Sequence, residues 1–469
     1  MKIMKYLLVG VLAMASFAPV AAQDIKADVA AITKVINDAK GDPVALKEPV
    51  KTFLKSYKKN PVALAALGRA YLDVRDVDNA KLYADMAMAR NKKCVDAYLL
   101  MGDIEAVKDD GGAAASWYQQ ATFIDPNEPM GYIKYARVYR KISPAESAAM
   151  LENLRKVRPD YPVDAVAAHF FFQAQQYDQA IAHFGKANIG SLNEDQLKEF
   201  SLAGYYGGDY DKALEIAKYG LGQYPRSAVL NRMAFYNSLV KQNYPDALLY
   251  SDRLMNQSDS AVISARDYMN LGHTQQALKN YDAAIAAFQK SNELRENNDL
   301  LKSIAMCYSA KGDHANAVSK YEEYMTKVTN PKNEDYSSLA DIYQAIADDE
   351  NTSKEARVSA LKKADAQYAK LCEKNPNAKF YVYKRATINQ DMDSEENPGL
   401  AKPYFDKLIE MVNSSDTKGQ NDITYLKRSY RYLTVYYYHK KDLATAKDYA
   451  RKLQELDPEN DVAKQILAL

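Results

Sequence analysis

The residue types that most often carry catalysis or bind metals are few and scattered in this chain. The five histidines, His169, His183, His273, His314 and His439, show no metal-ligand spacing. The sequence has no HExxH motif, no glycine-rich phosphate-binding loop and no GxSxG nucleophile turn. We therefore expect no enzymatic activity, no cofactor and no metal.

One acidic stretch resembles the start of a calcium-binding loop. Asn389, Asp391, Asp393 and Glu395 alternate as calcium ligands do, but Leu400 stands where the bidentate glutamate belongs. This departure favours a solvated acidic loop.

A second short stretch, Asp-Ser-Ala at 259–261, matches an acceptor for O-glycosylation in some Gram-negative bacteria. The sequence predicts an exposed loop there, so Ser260 is either a modified residue or an ordinary surface serine.

The composition limits the classes of partner. The 469 residues carry 62 Lys and Arg against 61 Asp and Glu, a formal charge of +1. This balance gives no global basic field for nucleic acid or an anionic membrane. Cys94, Cys307 and Cys372 lie far apart in the sequence. We expect separate buried thiols, although Cys307 and Cys372 could meet if they lie in neighbouring structural units.

The N-terminus has the features of a secretory signal peptide. Lys2 and Lys5 precede an apolar run at 6–17, and Val20-Ala21-Ala22 supplies small residues for cleavage. The run is too short to span a membrane, and no later stretch approaches that length. We expect cleavage after Ala22 and an exported protein, periplasmic or secreted. A buried N-terminal helix is the alternative.

The rest of the chain is organised by a repeat of about 34 residues. A small residue anchors each unit, at Ala80, Ala114, Ala180, Ala213, Ala247, Ala284, Ala317, Ala364, Ala401 and Ala446. A preceding helix presents apolar residues at i, i+3, i+4 and i+7, as in Leu64, Leu67, Gly68 and Tyr71. Most units end at a proline, because proline cannot continue a helix.

This helix–turn–helix unit resembles the tetratricopeptide repeat. The fullest match, residues 95–126, is carried by Tyr98, Met101, Gly102, Ala114, Tyr118, Ala121 and Pro126. The resemblance extends over about eleven units from Pro61 to Pro458. It implies an all-α fold, an α-solenoid in which helix pairs form a right-handed superhelix, and a bacterial exported member of the family.

The repeat pattern divides the chain into five segments. They are a signal peptide (1–22), a degenerate N-terminal helix pair (23–60), a regular array (61–328), a less regular array with polar inserts (329–458) and a C-terminal capping helix (459–469). Insertions follow Tyr343, Asn389 and Asn413, and insertions in repeat proteins usually form loops.

The resemblance also places a candidate binding surface. The first helix of each pair resembles the one that lines the concave groove in this family, and arginine and tyrosine are common at binding hot spots. The candidate groove residues are Arg137, Arg140, Tyr205, Tyr206, Arg232, Tyr236, Tyr381, Arg385, Arg431 and Tyr438. The Lys/Asn/Arg set that binds peptide C-termini in chaperone-binding members is not at the matching positions.

Two functions remain open from the sequence. The leading one is a non-catalytic scaffold of the bacterial envelope that binds a protein or peptide partner in the groove. The alternative is a glycan- or polymer-associated envelope protein, because exposed members of the 37 tyrosines could stack on sugar rings. A third alternative is that the same residues form an ordinary solvated surface with no dedicated ligand.

Overall fold

The computed structural model describes residues 20–469 apart from 41, 395–397 and 416–417, with side chains from residue 25 onward. Most of the predicted signal peptide therefore lies outside the described residues. Among those residues the regular structure is helical throughout, and it forms two compact units that divide between Pro225 and Arg226. The boundary at 328/329 between the regular and the less regular array rests on the spacing of the repeats, and it stays a prediction.

The first unit contains an N-terminal pair of helices followed by five helix–turn–helix pairs. Its α-helices are α1 (Val20–Asp38), α2 (Pro43–Tyr57), α3 (Pro61–Asp73), α4 (Val77–Arg90), α5 (Val95–Val107), α6 (Gly111–Ile124), α7 (Pro129–Tyr139), α8 (Pro144–Val157), α9 (Val163–Gln173), α10 (Tyr177–Lys186), α11 (Glu194–Gly207) and α12 (Tyr210–Gln223).

The second unit contains six further pairs and a short final helix that packs on the last pair. Its α-helices are α13 (Ala228–Val240), α14 (Tyr244–Asp252), α15 (Ala265–Ala277), α16 (Tyr281–Leu294), α17 (Asp299–Ala310), α18 (His314–Lys327), α19 (Asn333–Asp348), α20 (Lys354–Lys374), α21 (Lys379–Met392), α22 (Lys402–Asn413), α23 (Gln420–His439), α24 (Leu443–Leu456) and α25 (Asp461–Ala468).

These pairs confirm the α-solenoid with eleven repeats. All ten anchoring alanines have no exposed surface, so each one marks the closest approach of two helices. Gly102 and Gly272 show why a small residue is needed on the first helix as well. A Cβ atom at Gly102 would overlap the Tyr118 ring, and one at Gly272 would overlap the Phe288 ring.

Most turns within the pairs share one backbone geometry. The residue before the helix N-cap has a positive φ, as at Arg75, Gln242, Lys279, Gly312 and Lys441. The N-cap N–H then donates to a carbonyl five residues earlier, for example Asp442 N to Tyr437 O at 3.0 Å. This left-handed turn satisfies carbonyls at the end of the first helix and reverses the chain.

The insertion after Tyr343 is not a loop, contrary to the sequence-based expectation. It lengthens both helices of its pair, to 16 residues in α19 and 21 in α20, and the connection is only 349–353. Ala347, Ala360 and Leu361 are buried in the added length. The extra residues remain helical because they bury apolar surface along both helices.

The acidic stretch that begins at Asn389 is also partly helical. Asn389 and Asp391 belong to α21, and the Asn389 side chain is buried and donates to Asp365 Oδ1 at 2.9 Å. Asp393 accepts the backbone N–H groups of Gly399 and Leu400, at 3.0 and 2.6 Å. The described part of this stretch is thus a helix end and a turn organised by Asp393, while Glu395 lies outside the described residues.

Candidate functional site

The candidate groove residues lie on first helices of five pairs, as the repeat register predicts. Arg137 and Arg140 are at the end of α7, and Tyr205 and Tyr206 are on α11. Arg232 and Tyr236 lie on α13, Tyr381 and Arg385 lie on α21, and Arg431 and Tyr438 lie on α23. We call the exposed surface of the first helices within each unit the first-helix face.

Arg232 and Tyr236 are held in an ion-pair network with the buried Asp267 of the next first helix. Asp267 has no exposed surface. Arg232 Nε donates to its Oδ1 at 2.8 Å, and the Tyr236 hydroxyl donates to the same oxygen at 2.8 Å. Tyr236 is itself only 5% exposed. The fold uses both side chains internally, so neither offers a free recognition group.

Electrostatics fix the charge of that network. Burial alone would raise the pKa of Asp267, but hydrogen bonds from Arg232, from Ser264 and from Tyr236 hold that pKa below its ordinary value. Asp267 therefore stays ionised and joins α13 to α15.

The same arrangement recurs between other first helices of the second unit. Lys302 on α17 donates to Asp335 on α19 at 2.7 Å, and Lys379 on α21 donates to Asp422 on α23 at 2.9 Å. Asp267, Asp335 and Asp422 each occupy the third position of their helix, where they also accept the N-cap N–H. One carboxylate thus caps its own helix and binds the preceding repeat.

The first unit has an ion pair of similar offset. Asp103 on α5 bonds Arg69 on α3 and Lys134 on α7, the latter at 2.6 Å. Tyr118 also donates its hydroxyl to Asp103, at 2.6 Å. Burial alone would raise the pKa of Asp103, but Arg69 and Lys134 hold it below its ordinary value.

Sequence reasoning missed these inter-repeat carboxylates, although a signal for three of them exists. An aspartate three residues after a helix N-cap, with a basic residue 33 to 43 positions earlier, identifies Asp267, Asp335 and Asp422.

Arg385 is likewise occupied within the fold. Its guanidinium forms a two-pronged ion pair with Asp365, with both distances 2.9 Å, and it also donates to the Tyr404 hydroxyl at 2.9 Å. Tyr381 is half-buried and packs near the Tyr368 ring. Arg385 is therefore engaged within the fold, and Tyr381 is only partly open to solvent.

Tyr205 and Tyr206 belong to an aromatic cluster at the turn that follows α11. Tyr206 lies 5.3 Å from Tyr177 and 5.5 Å from Tyr205, and Tyr205 lies 5.9 Å from Tyr210 (ring centroids). Tyr206 is 57% exposed. Gly208, with φ of +83°, forms the turn beside these rings, and Gly207 is the last residue of α11.

Arg431 and Tyr438 remain open to solvent on α23. Both side chains are exposed, while Tyr430 and Leu433 of the same helix are buried. The helical register thus separates a packing face of α23 from an exposed face.

Arg137 and Arg140 form a second site whose arginine side chains are not neutralised by carboxylates of the described fold. Arg137 is exposed, and its guanidinium lies 6.0 Å from the centroid of the Phe170 ring. Arg140 donates to the Arg137 carbonyl, while its Nε is buried without a hydrogen-bond partner among the described residues. Burial, together with the nearby charge of Arg137, lowers the pKa of Arg140.

The described part of the chain shows three further features, which concern metals, membranes and thiols. No cluster of three or more His, Cys, Asp or Glu side chains there could hold a metal ion. None of the described helices combines the length and apolar character of a membrane span. Cys94, Cys307 and Cys372 are free thiols, and burial raises the pKa of Cys307 to about 11.

Two stretches of the chain match family models for the tetratricopeptide repeat, at residues 65–129 and 265–298. The first stretch covers helices from α3 to α6, and the second covers the α15–α16 pair. With the helix pairs and the buried anchoring alanines, these matches support a tetratricopeptide-repeat protein.

Several solved structures are similar to parts of the chain. The C-terminal part of a TPR repeat-containing protein from Cytophaga hutchinsonii is 20% identical and covers 58% of this chain and 100% of its own, with a TM-score of 0.48. A tetratricopeptide repeat protein from Parabacteroides merdae is 16% identical and covers 52% and 97%, with a TM-score of 0.33. PilF from Pseudomonas aeruginosa is 15% identical and covers 50% and 91%, with a TM-score of 0.31. No curated protein matches the chain.

Proposed function

We propose that this protein is a non-catalytic scaffold of the bacterial cell envelope that binds a protein or peptide partner through the groove lined by its first helices. Tetratricopeptide repeats suggest a role in protein interaction, and stacked repeats offer extended surfaces for it. Export from the cytoplasm is part of the proposal and rests on the N-terminal sequence.

One observation carries the proposal. Most basic side chains of the first helices are neutralised by internal carboxylates, yet Arg431 and Tyr438 are left exposed on the same helix. They are seven residues apart, which is about two helical turns, so they project from one side of α23. Arginine and tyrosine at such a position can hold an acidic or planar group through charge-assisted hydrogen bonds and stacking. The glycan-associated alternative is not favoured by the tetratricopeptide-repeat matches.

Capture of the partner by variants of this protein tests whether the partner binds to this surface. We expect the R431A/Y438A double variant to weaken capture from envelope extracts by about 2 kcal/mol, roughly thirtyfold, because both residues have hot-spot chemistry. Helicity should stay unchanged, since both side chains are exposed. The matched control is R451A/K452A, which removes two exposed side chains from the second helix of the same pair.

A second variant tests whether the partner binds the polar loop around residues 394–398 and not the groove. Residues 394–398 would be replaced by a Gly/Ser linker of equal length, and capture should persist. The groove would be excluded as the binding surface if capture survived R431A/Y438A and disappeared with the linker.

Export is tested separately by N-terminal sequencing of the protein recovered from the envelope. The expected sequence begins Gln23-Asp24-Ile25. Retention of Met1 in the recovered protein would overturn both the cleavage site and the envelope location.

A further inference from the structure

The connection that leads into α15 includes seven residues, 258–264, without helical structure. Three of the seven are serines, and the loop contains the Asp-Ser-Ala stretch at 259–261 that matches an acceptor sequence for O-glycosylation. The sequence alone leaves Ser260 as either a modified residue or an ordinary surface serine. The contacts of the three serines bear on this choice.

Two of the three serine hydroxyls are used by the fold. Ser258 Oγ donates to the Arg253 carbonyl at 3.0 Å, and Ser264 Oγ donates to Asp267 at the start of α15, at 2.8 Å. Ser260 is exposed, and its hydroxyl forms no hydrogen bond with the described part of the chain. Ser260 therefore carries the hydroxyl of this loop that is free to react.

The backbone around Ser260 forms a turn that the rest of the loop holds in place. Ser260 has φ of +52°, in the left-handed region. Before it, the Asp259 N–H donates to the Arg226 carbonyl at 2.9 Å. After it, the Arg232 guanidinium donates to the Val262 carbonyl at 2.8 Å. The loop is thus tied on both sides of Ser260, which is presented to solvent between the two ties.

Asp259, the first residue of the acceptor stretch, is accessible as well. Its carboxylate accepts a hydrogen bond from Arg226 Nε at 2.7 Å, but the Arg226 and Asp259 side chains are 66% and 65% exposed. Exposed ion pairs add little to stability, because water competes for both partners. The contact therefore does not prevent a transferase from binding Asp259 together with Ser260.

A second glycosylation signal lies directly before the acceptor stretch. Asn256-Gln257-Ser258 has the N-x-S pattern of N-linked acceptors, which are expected in surface loops. Asn256 instead belongs to the π-helical turn Arg253–Gln257, and its side-chain amide donates to Asp252 Oδ1 at 2.8 Å. Because this amide is engaged within helical backbone, the structure favours Ser260 as the acceptor.

We propose that Ser260 is an O-glycosylation site of the exported protein. A glycosyltransferase joins Ser260 Oγ to the anomeric carbon of a sugar carried on a diphosphate. The bond from that carbon to the diphosphate oxygen breaks, the diphosphate leaves with the electron pair, and the hydroxyl proton passes to a base of the transferase. This inference rests on the export that is part of the proposed function, because acceptors of this pattern are modified in the periplasm.

Mass spectrometry of the protein purified from the envelope of its own bacterium tests the site. Trypsin releases residues 254–266 as one peptide, because Arg253 and Arg266 bound it. We expect this peptide to carry a sugar, and we expect electron-transfer fragmentation to place it on Ser260. Mild alkali should release the sugar by β-elimination, whereas an amide-linked sugar on Asn256 would survive that treatment.

Variants of the loop test whether the acceptor stretch is what the transferase recognises. Ser260→Ala should lose the sugar, and Ser260→Thr should keep it. Asp259→Asn and Ala261→Glu preserve the hydroxyl but remove the acidic and the small neighbour, so each should lose most of the sugar. The matched control is Val262→Ala, which changes an 83% exposed side chain of the same loop and should be modified as wild type is. Circular dichroism should be unchanged in all of them.

The outcomes separate the site from the proposed function. An unmodified Ser260 in protein that begins at Gln23 would overturn the site while export stands. A sugar on Asn256, a phosphate on Ser260, or full modification of both Asp259→Asn and Ala261→Glu would also overturn it. A sugar on Ser260 in protein that retains Met1 would support the site and exclude signal-peptide cleavage, and unmodified protein that retains Met1 would exclude both.

Discussion

Asp267 shows how one side chain can join two repeats. It accepts hydrogen bonds from the Arg232 guanidinium, the Tyr236 hydroxyl and both the backbone and hydroxyl of Ser264, all between 2.8 and 3.0 Å. A buried carboxylate with this many donors is stable only while it is ionised. Its function here is to fix the register of α13 against α15.

Replacing Asp267 with Asn should lower the local stability by about 3 kcal/mol, because Arg232 loses its charge partner in a buried setting. Hydrogen exchange of α13 to α16 at pH 7 measures this loss. Asp299→Asn is the control, since that side chain is exposed on a first helix, α17, and forms no ion pair in the described structure.

The same network predicts a direction for the pH dependence. The pKa of folded Asp267 is depressed, so its stabilising effect is present above the unfolded value of about 4 and is lost as pH falls through the folded value. The difference in stability between wild type and D267N should thus be constant from about pH 5 to 7 and shrink below about pH 4. An undiminished difference at about pH 2 would contradict the assignment.

At the scale of the helix pair, the residue with positive φ in the turn between the two helices affects the stability of that pair. Lys441 has φ of +62° in the turn between α23 and α24, where Gly312 occupies the equivalent position between α17 and α18. A side chain at positive φ is strained by its Cβ atom, and glycine is not.

We expect Lys441→Gly to stabilise its pair by about 0.5–1 kcal/mol, because relief of this strain exceeds the entropy added to the unfolded chain. The adjacent Lys440 has φ of −75°, so Lys440→Gly should be destabilising. Urea unfolding followed by helical circular dichroism compares the two variants. Similar shifts for both would show that the turn geometry is not responsible.

At the scale of the whole molecule, the pairs within each compact unit pack mainly on their neighbours in sequence. In such an array damage should spread only to adjacent repeats, because no single core connects distant ones. The described hydrophobic clusters follow this pattern, each spanning a few consecutive helices.

Gly102→Leu tests this locality. The added side chain would force the Tyr118 ring from its place, at a cost of about 1–3 kcal/mol for overpacking. Hydrogen exchange should show lost protection in α5, α6 and their neighbours, with α23 unaffected. Equal loss of protection around Tyr437 would indicate one global folding unit instead.

The sequence by itself determined the repeat, because close packing of helices requires small residues at a fixed period. Ala213 and Gly102 could be assigned to close contacts between helices from spacing alone. The helical register likewise predicted that Arg431 and Tyr438 share an exposed face, and the structure places both side chains in solvent.

Only the tertiary structure decided which arginines and tyrosines are left for a partner. Arg232 and Arg385 lie on first helices as Arg431 does, yet buried or half-buried aspartates neutralise them. Those aspartates lie 35 and 20 residues away. Helical periodicity specifies which face of its own helix a residue occupies, whereas its ion-pair partner depends on how a neighbouring helix is placed against it.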